Sequence, residues 1–555
     1  MKGKHAVVPA LFVLFCLVLP AAVFARGTRQ QSGSGVETLE VYGLVSGGST
    51  SGIYEGRFFS DIWKEDLGIQ FNGIPGNQDV LNTIIASGNL PDILFVQQYT
   101  DVDTMIKAGL LLNWDDHRDK LPDVYSPYLA NAVQYRRDKV SNGTGGLYGM
   151  GVDICSNPNL GTVNYGPYIR WDYYKELGMP AVADLEDYLT LLKRMQDAHP
   201  FNEAGQRVYA FSLWKDWDGI TPAMGTGFTS MLGNVIYGFT EFDLVGNTVR
   251  SIVDENSIYK RTLRFWFNAN QSGLLDPDSA SQGWNDSLAK GKAGRVLFSY
   301  WPWGVAEELR TPEREAAGIG YGLVPFSTEK VVDPKFGGQL IGDARSYVVS
   351  KNTKHLDKAL AFINFMYSFD GILLMQQGRK GVMWDVDESG EPYYTQWGWD
   401  VINGKAEYPG WNERGGIPPG IGWRAIHPAY NRQMDAKGWV KKDYAPADTA
   451  LVADWKRVMN ASDDIDYFTR HNMAIVPPIS SFPSVPDNIQ IIQNRVGEVI
   501  VPLAWQMVYA KDQAEFDRLW AQTVEQAKGR GIDQVDQWYR QAYTEAVADM
   551  AKYTK

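Results

Sequence analysis

The chain is predicted to fold as an α/β protein. Two observations carry this: strand, helix and strand signals alternate at βαβ spacing between residues 39 and 96, and helices of 3.6-residue period recur further on with strands between them. "LEVYGLV" (Leu39–Val45) is rich in strand formers and runs into "SGGSTSG", a flexible loop of the kind that can approach a ligand closely. "IQFNGI" (Ile69–Ile74) reads as a second strand. "DVLNTIIASG" (Asp79–Gly88) reads as a helix with Val80, Ile84 and Ile85 inward and Gly88 ending it. "DILFV" (Asp92–Val96) is a short apolar run that suits a strand buried on both faces.

Further along, "ADLEDYLTLLKRMQDA" sets Leu185, Tyr188, Leu189, Leu192 and Met195 on one helical face, with Asp184 as N-cap and Asp187 near the positive end of the dipole. "LDKALAFINFMYS" repeats the pattern with Leu356, Ala359, Leu360, Ile363 and Met366. Asp512 to Tyr553 gives two more helices broken at "GRG" (Gly529–Gly531), and no internal repeat is visible.

At 555 residues the chain is too long for one core, and 44% hydrophobic with 21% charged residues is an ordinary globular composition. The first 25 residues carry Lys2 and Lys4, an apolar run, and Val23 and Ala25 at the −3 and −1 positions of a cleavage site, which reads as a secretory signal peptide followed by a tether over 26–36. Export to the periplasm or another extracytoplasmic compartment is the expectation. Cys16 follows Phe15 in mid-run rather than a small residue at its end, which favours plain export over a lipid anchor. Cleavage would remove two lysines and no acid, moving the formal charge from −12 to −14 and arguing against nucleic-acid binding. Cys155 is the only other cysteine, so no internal disulfide can form and it reads as a small buried hydrophobe.

Four stretches carry a family likeness. "IASGNLPDILFV" (Ile85–Val96), "YIRWDYYKELGMPAVADLEDYLTLLKRM" (Tyr168–Met195), "LAKGKAGRVLFSYWPWG" (Leu288–Gly304) and "VVSKNTKHLDKALAFINFMYSFDGILLMQQGRKGVMWD" (Val348–Asp385) resemble, in order, segments of bacterial extracellular solute-binding proteins of family 1. The ending "GRKGVMWD" is similar to the long subgroup implicated in oligosaccharide and aldouronate uptake. The resemblance implies a type II periplasmic-binding-protein-like fold, with two lobes, a cleft and crossover segments between them. It would place residues 37–150 and 340–395 in the first lobe, and 151–339 and 396–555 in the second lobe with a C-terminal helical extension. It also implies a monomer that carries a carbohydrate to the permease subunits of an ABC importer. The lipobox cysteine usual in such proteins is missing here.

Aromatic residues make up 13% of the chain, with 19 Trp, and many stand beside turn-formers rather than on helical faces. Sugar rings offer a flat C–H face and a rim of hydroxyls, which suits indole faces beside amides and acids. Trp217, Trp301, Trp303 and Trp411, flanked by Gly, Pro and polar residues, and Trp384 in "GVMWD", are the indoles expected at the cleft. In "LFSYWPWG" (Leu297–Gly304) the expected division is a buried strand as far as Tyr300 and a turn from Trp301 onward, with one or both indoles offered to the cleft. Gln97, Gln98 and Tyr99 follow a parallel strand at the end where open α/β sheets bind ligands. Asp153 sits where the chain should cross between lobes and could accept sugar hydroxyls or cap a helix. Arg170 could pair with a uronate carboxylate, or with Asp172. "DVDESGEPYY" (Asp385–Tyr394) spaces acids as a calcium loop does, but Gln396 stands at the twelfth position and no helix leads in, so it reads as a hairpin turn. No catalytic motif, cofactor loop or metal-ligand His pair is present. Two well-placed carboxylates would suffice for a secreted glycoside hydrolase, which stands as the alternative to a binding protein.

Overall fold

A computed structural model describes residues 35–45, 51–155, 163–336, 339–402, 404–411, 416–434, 439, 448–479, 482 and 485–553. The expected signal peptide (1–25), nearly all of the tether and most of the "SGGSTSG" loop lie outside the described residues.

The first lobe is built on a six-stranded sheet in the order Gly52–Tyr54, Ile69–Ile74, Glu37–Tyr42, Ile93–Val96, Ser346–Val349, Gly149–Gly151. Glu37–Tyr42 runs parallel to both of its neighbours, and Ser346–Val349 returns antiparallel beside Ile93–Val96. Ile93 to Val96 are all buried, as an unbroken apolar run requires of a central strand, whereas Ile69–Ile74 alternates and covers one face. The intervening helix is Gln78–Ser87, capped by Asn77 at its start and by Gly88 in the left-handed region (φ +71°) at its end. Leu81 is its one fully buried side chain, with Val80, Ile84 and Ile85 half-buried beside it.

The second lobe has a three-stranded antiparallel sheet, Phe298–Ser299, Tyr168–Arg170, Tyr321–Leu323, and a meander over Asn234–Ser251. Helix Leu185–Ala198 packs onto its core as the spacing predicts, and the Asp184 carboxylate accepts the Asp187 N–H. Three long helices follow, Asp487–Val508, Gln513–Arg530 and Ile532–Met550, the last two broken by Gly531 at φ +99°. All three belong to the second core. Asp487–Val508 carries Pro502 inside it and is an element that the periodicity reading did not find.

One assignment is corrected. The described residues between 396 and 439, expected with the second lobe, pack into the first: Val401, Trp411, Ile417, Ile421, Met434 and Trp439 are buried in the same core as Phe58, Phe71 and Trp114. The hairpin Trp384–Val386 with Pro392–Tyr394 forms as read, and the Asp387 carboxylate is taken up by the N–H groups of Ser389 and Glu391 at its turn.

The segments that join the lobes are held by ions. Asp153, in the left-handed region at φ +58°, accepts from Lys335 Nζ at 3.0 Å and from the Arg345 guanidinium at 2.7 Å. Burial alone would raise the Asp153 carboxyl, yet the two cations hold it below the ordinary carboxylate value. Asp333 is fully buried and accepts the backbone N–H groups of Asn164, Tyr165 and Lys335, which clamps the outward crossover to the returning one. Burial pushes its carboxyl up to about 6. The C-terminal helix adds a second tie. Its body packs on the second lobe through Val535, Tyr539 and Tyr543, while Tyr553 beyond its end sits against Tyr135 of the first lobe, rings 5.3 Å apart, and donates to Asp138 at 2.7 Å. Lys139 and Asp549 form an ion pair at the same junction.

Candidate functional site

Strand Phe298–Ser299 ends in the second lobe's interior, and the chain then turns through Tyr300, Trp301, Pro302 and Trp303 into a short helix at Val305. This turn meets two others. The loop after Phe211–Trp214 brings Trp217, and the start of helix Trp284–Lys292 brings Trp284, whose backbone N–H donates to the Asp216 carboxylate at 2.8 Å. Trp303 lies on Trp301 at 4.5 Å with planes 16° apart, Trp217 lies 4.7 Å from Trp284, and Trp217 and Trp303 are 6.4 Å apart and 29° from parallel. Gly304 permits this crowding, since a Cβ there would come 3.2 Å from the Trp284 ring.

The result is a layered platform. Trp301, Trp214 and Tyr300 are buried at 7%, 4% and 5% exposure, and above them Trp303 and Trp217 remain 46% and 37% exposed, with Trp284 half-buried between. Trp303 is fixed further by its indole N–H, which donates to the Asn164 side chain at 2.9 Å. Asn164 is in turn held by Asp333, so the platform is tethered to the crossover clamp. Of the two indoles expected at the turn, one is therefore offered: Trp301 is the support, and Trp303 is the exposed face.

Beside the platform, a cleft of about 450 Å³ is lined from both lobes. The first lobe supplies Gln98, Tyr99 and Thr100, at the carboxyl end of strand Ile93–Val96 where a helix begins. Gln98 is the extended residue before that helix (φ −130°, ψ 148°) and its side chain makes no capping bond, so its amide faces solvent. The second lobe supplies Tyr165, Ile236 and Tyr237, and the long helices supply Gln490, Gln493 and Asn494. Tyr165 links cleft to platform, its ring 6.2 Å from Trp301, and burial pushes its phenol up to about 12, so it stays neutral.

Of the residues singled out from sequence, Gln98, Tyr99, Trp217 and Trp303 stand at this cleft or its platform, and Gln97 is exposed at the same strand end. Four do not. Trp384 and Trp411 are 4% and 2% exposed in the first core, Trp384 against Trp439 at 4.8 Å and Trp411 against Phe58 at 5.0 Å. Arg170 is buried, binds Asp172 through two nitrogens and lies over the Tyr173 ring at 4.0 Å, which leaves it no reach to a uronate. Asp153 spends its carboxylate on Lys335 and Arg345. Sequence reading missed Trp284, although it carries the same Gly flank as the other indoles. It also missed the amides of "QIIQN" (Gln490–Asn494), whose i, i+3, i+4 spacing marks one helical face. Among the described residues no group of three or more His, Cys, Asp or Glu could hold a metal ion.

Comparisons with known proteins agree with this architecture. The curated relatives include the fructooligosaccharide ABC transporter substrate-binding protein FusA of Streptococcus pneumoniae, 24% identical over 233 residues, 40% of this chain and 41% of that protein. Lipoprotein LipO of Bacillus subtilis is 24% identical over 344 residues, 59% of this chain and 62% of that protein. The matches thus span about two fifths and three fifths of these relatives' lengths. Among solved structures, alginate-binding protein AlgQ2 without calcium ion superposes with a TM-score of 0.61 at 17% identity, covering 92% of this chain and 99% of that one. FusA in complex with kestose gives 0.55 at 16% identity, covering 92% and 100%. At such identities the likeness is one of fold, and that fold is the two-lobed one of periplasmic solute-binding proteins. The family model described as "Bacterial extracellular solute-binding protein" matches residues 63–371, more than half of the chain, and the chain belongs to that family.

Proposed function

We propose that the protein is the substrate-binding component of an ABC importer, that it captures an oligosaccharide in the interlobe cleft, and that it delivers this ligand to membrane permeases from outside the cytoplasm. The observation that carries the reading is the exposed indole platform of Trp217, Trp284 and Trp303 adjoining a cleft that both lobes line. Indole faces match the C–H faces of pyranose and furanose rings, and amides that both donate and accept match vicinal hydroxyls. A ligand held by both lobes binds the closed arrangement better than the open one, and this difference drives closure. Relatives named for fructooligosaccharide and alginate binding support the ligand class. As a member of a family of solute-binding proteins, the chain binds its ligand without transforming it.

The test is calorimetry of the purified protein against a panel of oligosaccharides, with chromatography of the recovered sugar. One-to-one binding with the sugar returned intact is the expected result. Release of shorter products would make the protein a glycosidase and overturn the proposal.

A further inference from the structure

We infer that the ligand is an uncharged saccharide rather than a uronic acid or another anionic glycan, an inference that rests on the saccharide reading above. Among the described residues, no side chain lining the cleft carries a charge: its polar groups are the amides of Gln98, Gln490, Gln493 and Asn494 and the hydroxyls of residues such as Thr100 and Tyr165. Amides and hydroxyls satisfy sugar hydroxyls on both their donor and acceptor sides, whereas a carboxylate entering this cleft would lose hydration with no cation to replace it.

Four cations on neighbouring segments are already committed to acids. Lys335 and Arg345 share Asp153, and Arg345 also binds Asp343. Arg170 is buried on Asp172, and Lys107, on the helix that begins beside Gln98, pairs with Asp103 and Asp487. Recruiting any of them would leave an acid without its partner.

The platform points the same way. Its flank "KDWDG" carries Asp216 and Asp218 against one base, Lys215. Both acids are fixed in place as hydrogen-bond acceptors, Asp216 from the Trp284 N–H at 2.8 Å and Asp218 from the Trp505 indole at 2.7 Å. A ligand carboxylate on these rings would face standing negative charge, while a neutral ring would meet only indole faces and acceptors for its hydroxyls.

The experiment is a glycan array probed with the labelled full chain, holding linkage-matched pairs such as mannotetraose with tetramannuronate and galactotetraose with tetragalacturonate, together with sulfated and sialylated glycans. Solution titration of each bound glycan follows, at about 0.05 and about 0.5 M salt. Binding to neutral members is expected, their acidic counterparts weaker by roughly 100-fold, with affinity unchanged by salt. An acidic member that binds as well as its neutral counterpart or better, or an affinity that falls with salt, overturns the inference and leaves the saccharide reading standing. An array on which no glycan of either kind is bound overturns the saccharide reading, and this inference with it.

Discussion

Replacing each of the two stacked indoles separates a binding face from its support. Trp303 is 46% exposed, so Trp303→Ala removes about half of a large aromatic burial, a stability loss of about 1 kcal/mol. Trp301 is 7% exposed and packs on Trp214, Trp217, Tyr300 and Trp303, so Trp301→Ala leaves a cavity in the second core at a cost of about 3–5 kcal/mol. For a lobe of this size that is a fall of roughly 2–4 °C in melting temperature for Trp303→Ala against roughly 6–20 °C for Trp301→Ala. Affinity should divide the other way. Stacking of a flat ring on an exposed aromatic face is worth about 1–3 kcal/mol in comparable sites, so Trp303→Ala is expected to weaken saccharide binding roughly 5- to 150-fold while the protein stays folded. Thermal unfolding followed by circular dichroism, and titration with the oligosaccharide selected from the array, read the two quantities. If Trp303→Ala melts as early as Trp301→Ala, or binds sugar as tightly as the parent, the layered-platform argument is wrong.

Three further outcomes are expected. Asp153→Ala leaves Lys335 and Arg345 facing each other without their shared carboxylate, which should cost about 3 kcal/mol in chemical denaturation, and a loss within error of zero would dismiss the ionic clamp. Tyr553→Ala removes the buried ring between the C-terminal helix and Tyr135 of the first lobe, so small-angle scattering of the ligand-free protein should show a larger radius of gyration; identical scattering would mean that the tie does not restrain the lobes. Asp536 accepts a hydrogen bond from Thr240, and burial raises its carboxyl to about 6 from an ordinary value of 3.8. Its contribution to stability is therefore fully present below about pH 4 and lost as pH rises through about 6. Asp536→Asn, which keeps the acceptor, should be more stable than the parent by on the order of 2 kcal/mol at about pH 7.5 and level with it at about pH 4; a gap that does not change with pH would contradict this.

Where local chemistry decides, the sequence was readable. Asp184 before an apolar stripe, Gly531 between two charged amphipathic runs, and "ESG" between aromatic strands each determine an element from within a few residues, and each formed. Where packing over long sequence separation decides, it was not. Trp411 and Trp303 carry similar Gly and Pro flanks, yet Trp411 docks on Phe58, more than 350 positions earlier, while Trp303 is left at the surface. The same cause put the described residues between 396 and 439 in the first core, since nothing local in "YTQWGWD" or "YPGWNERGG" says which lobe will collect their rings. Arg170 was legible only as a choice between ligand and ion pair, and Asp172 two residues away won through proximity and bidentate geometry. The cleft needed both lobes to be seen, because Gln98 and Gln490 lie almost 400 residues apart and neither stands out alone.

The central claim is that one saccharide is held by both lobes at once. Hydrogen–deuterium exchange of the full chain, with and without the array-selected oligosaccharide, tests it most directly. Protection is expected to rise together at residues 97–100 of the first lobe and at 214–220 and 300–304 of the second. Protection confined to one lobe, or lying away from these three segments, would contradict it.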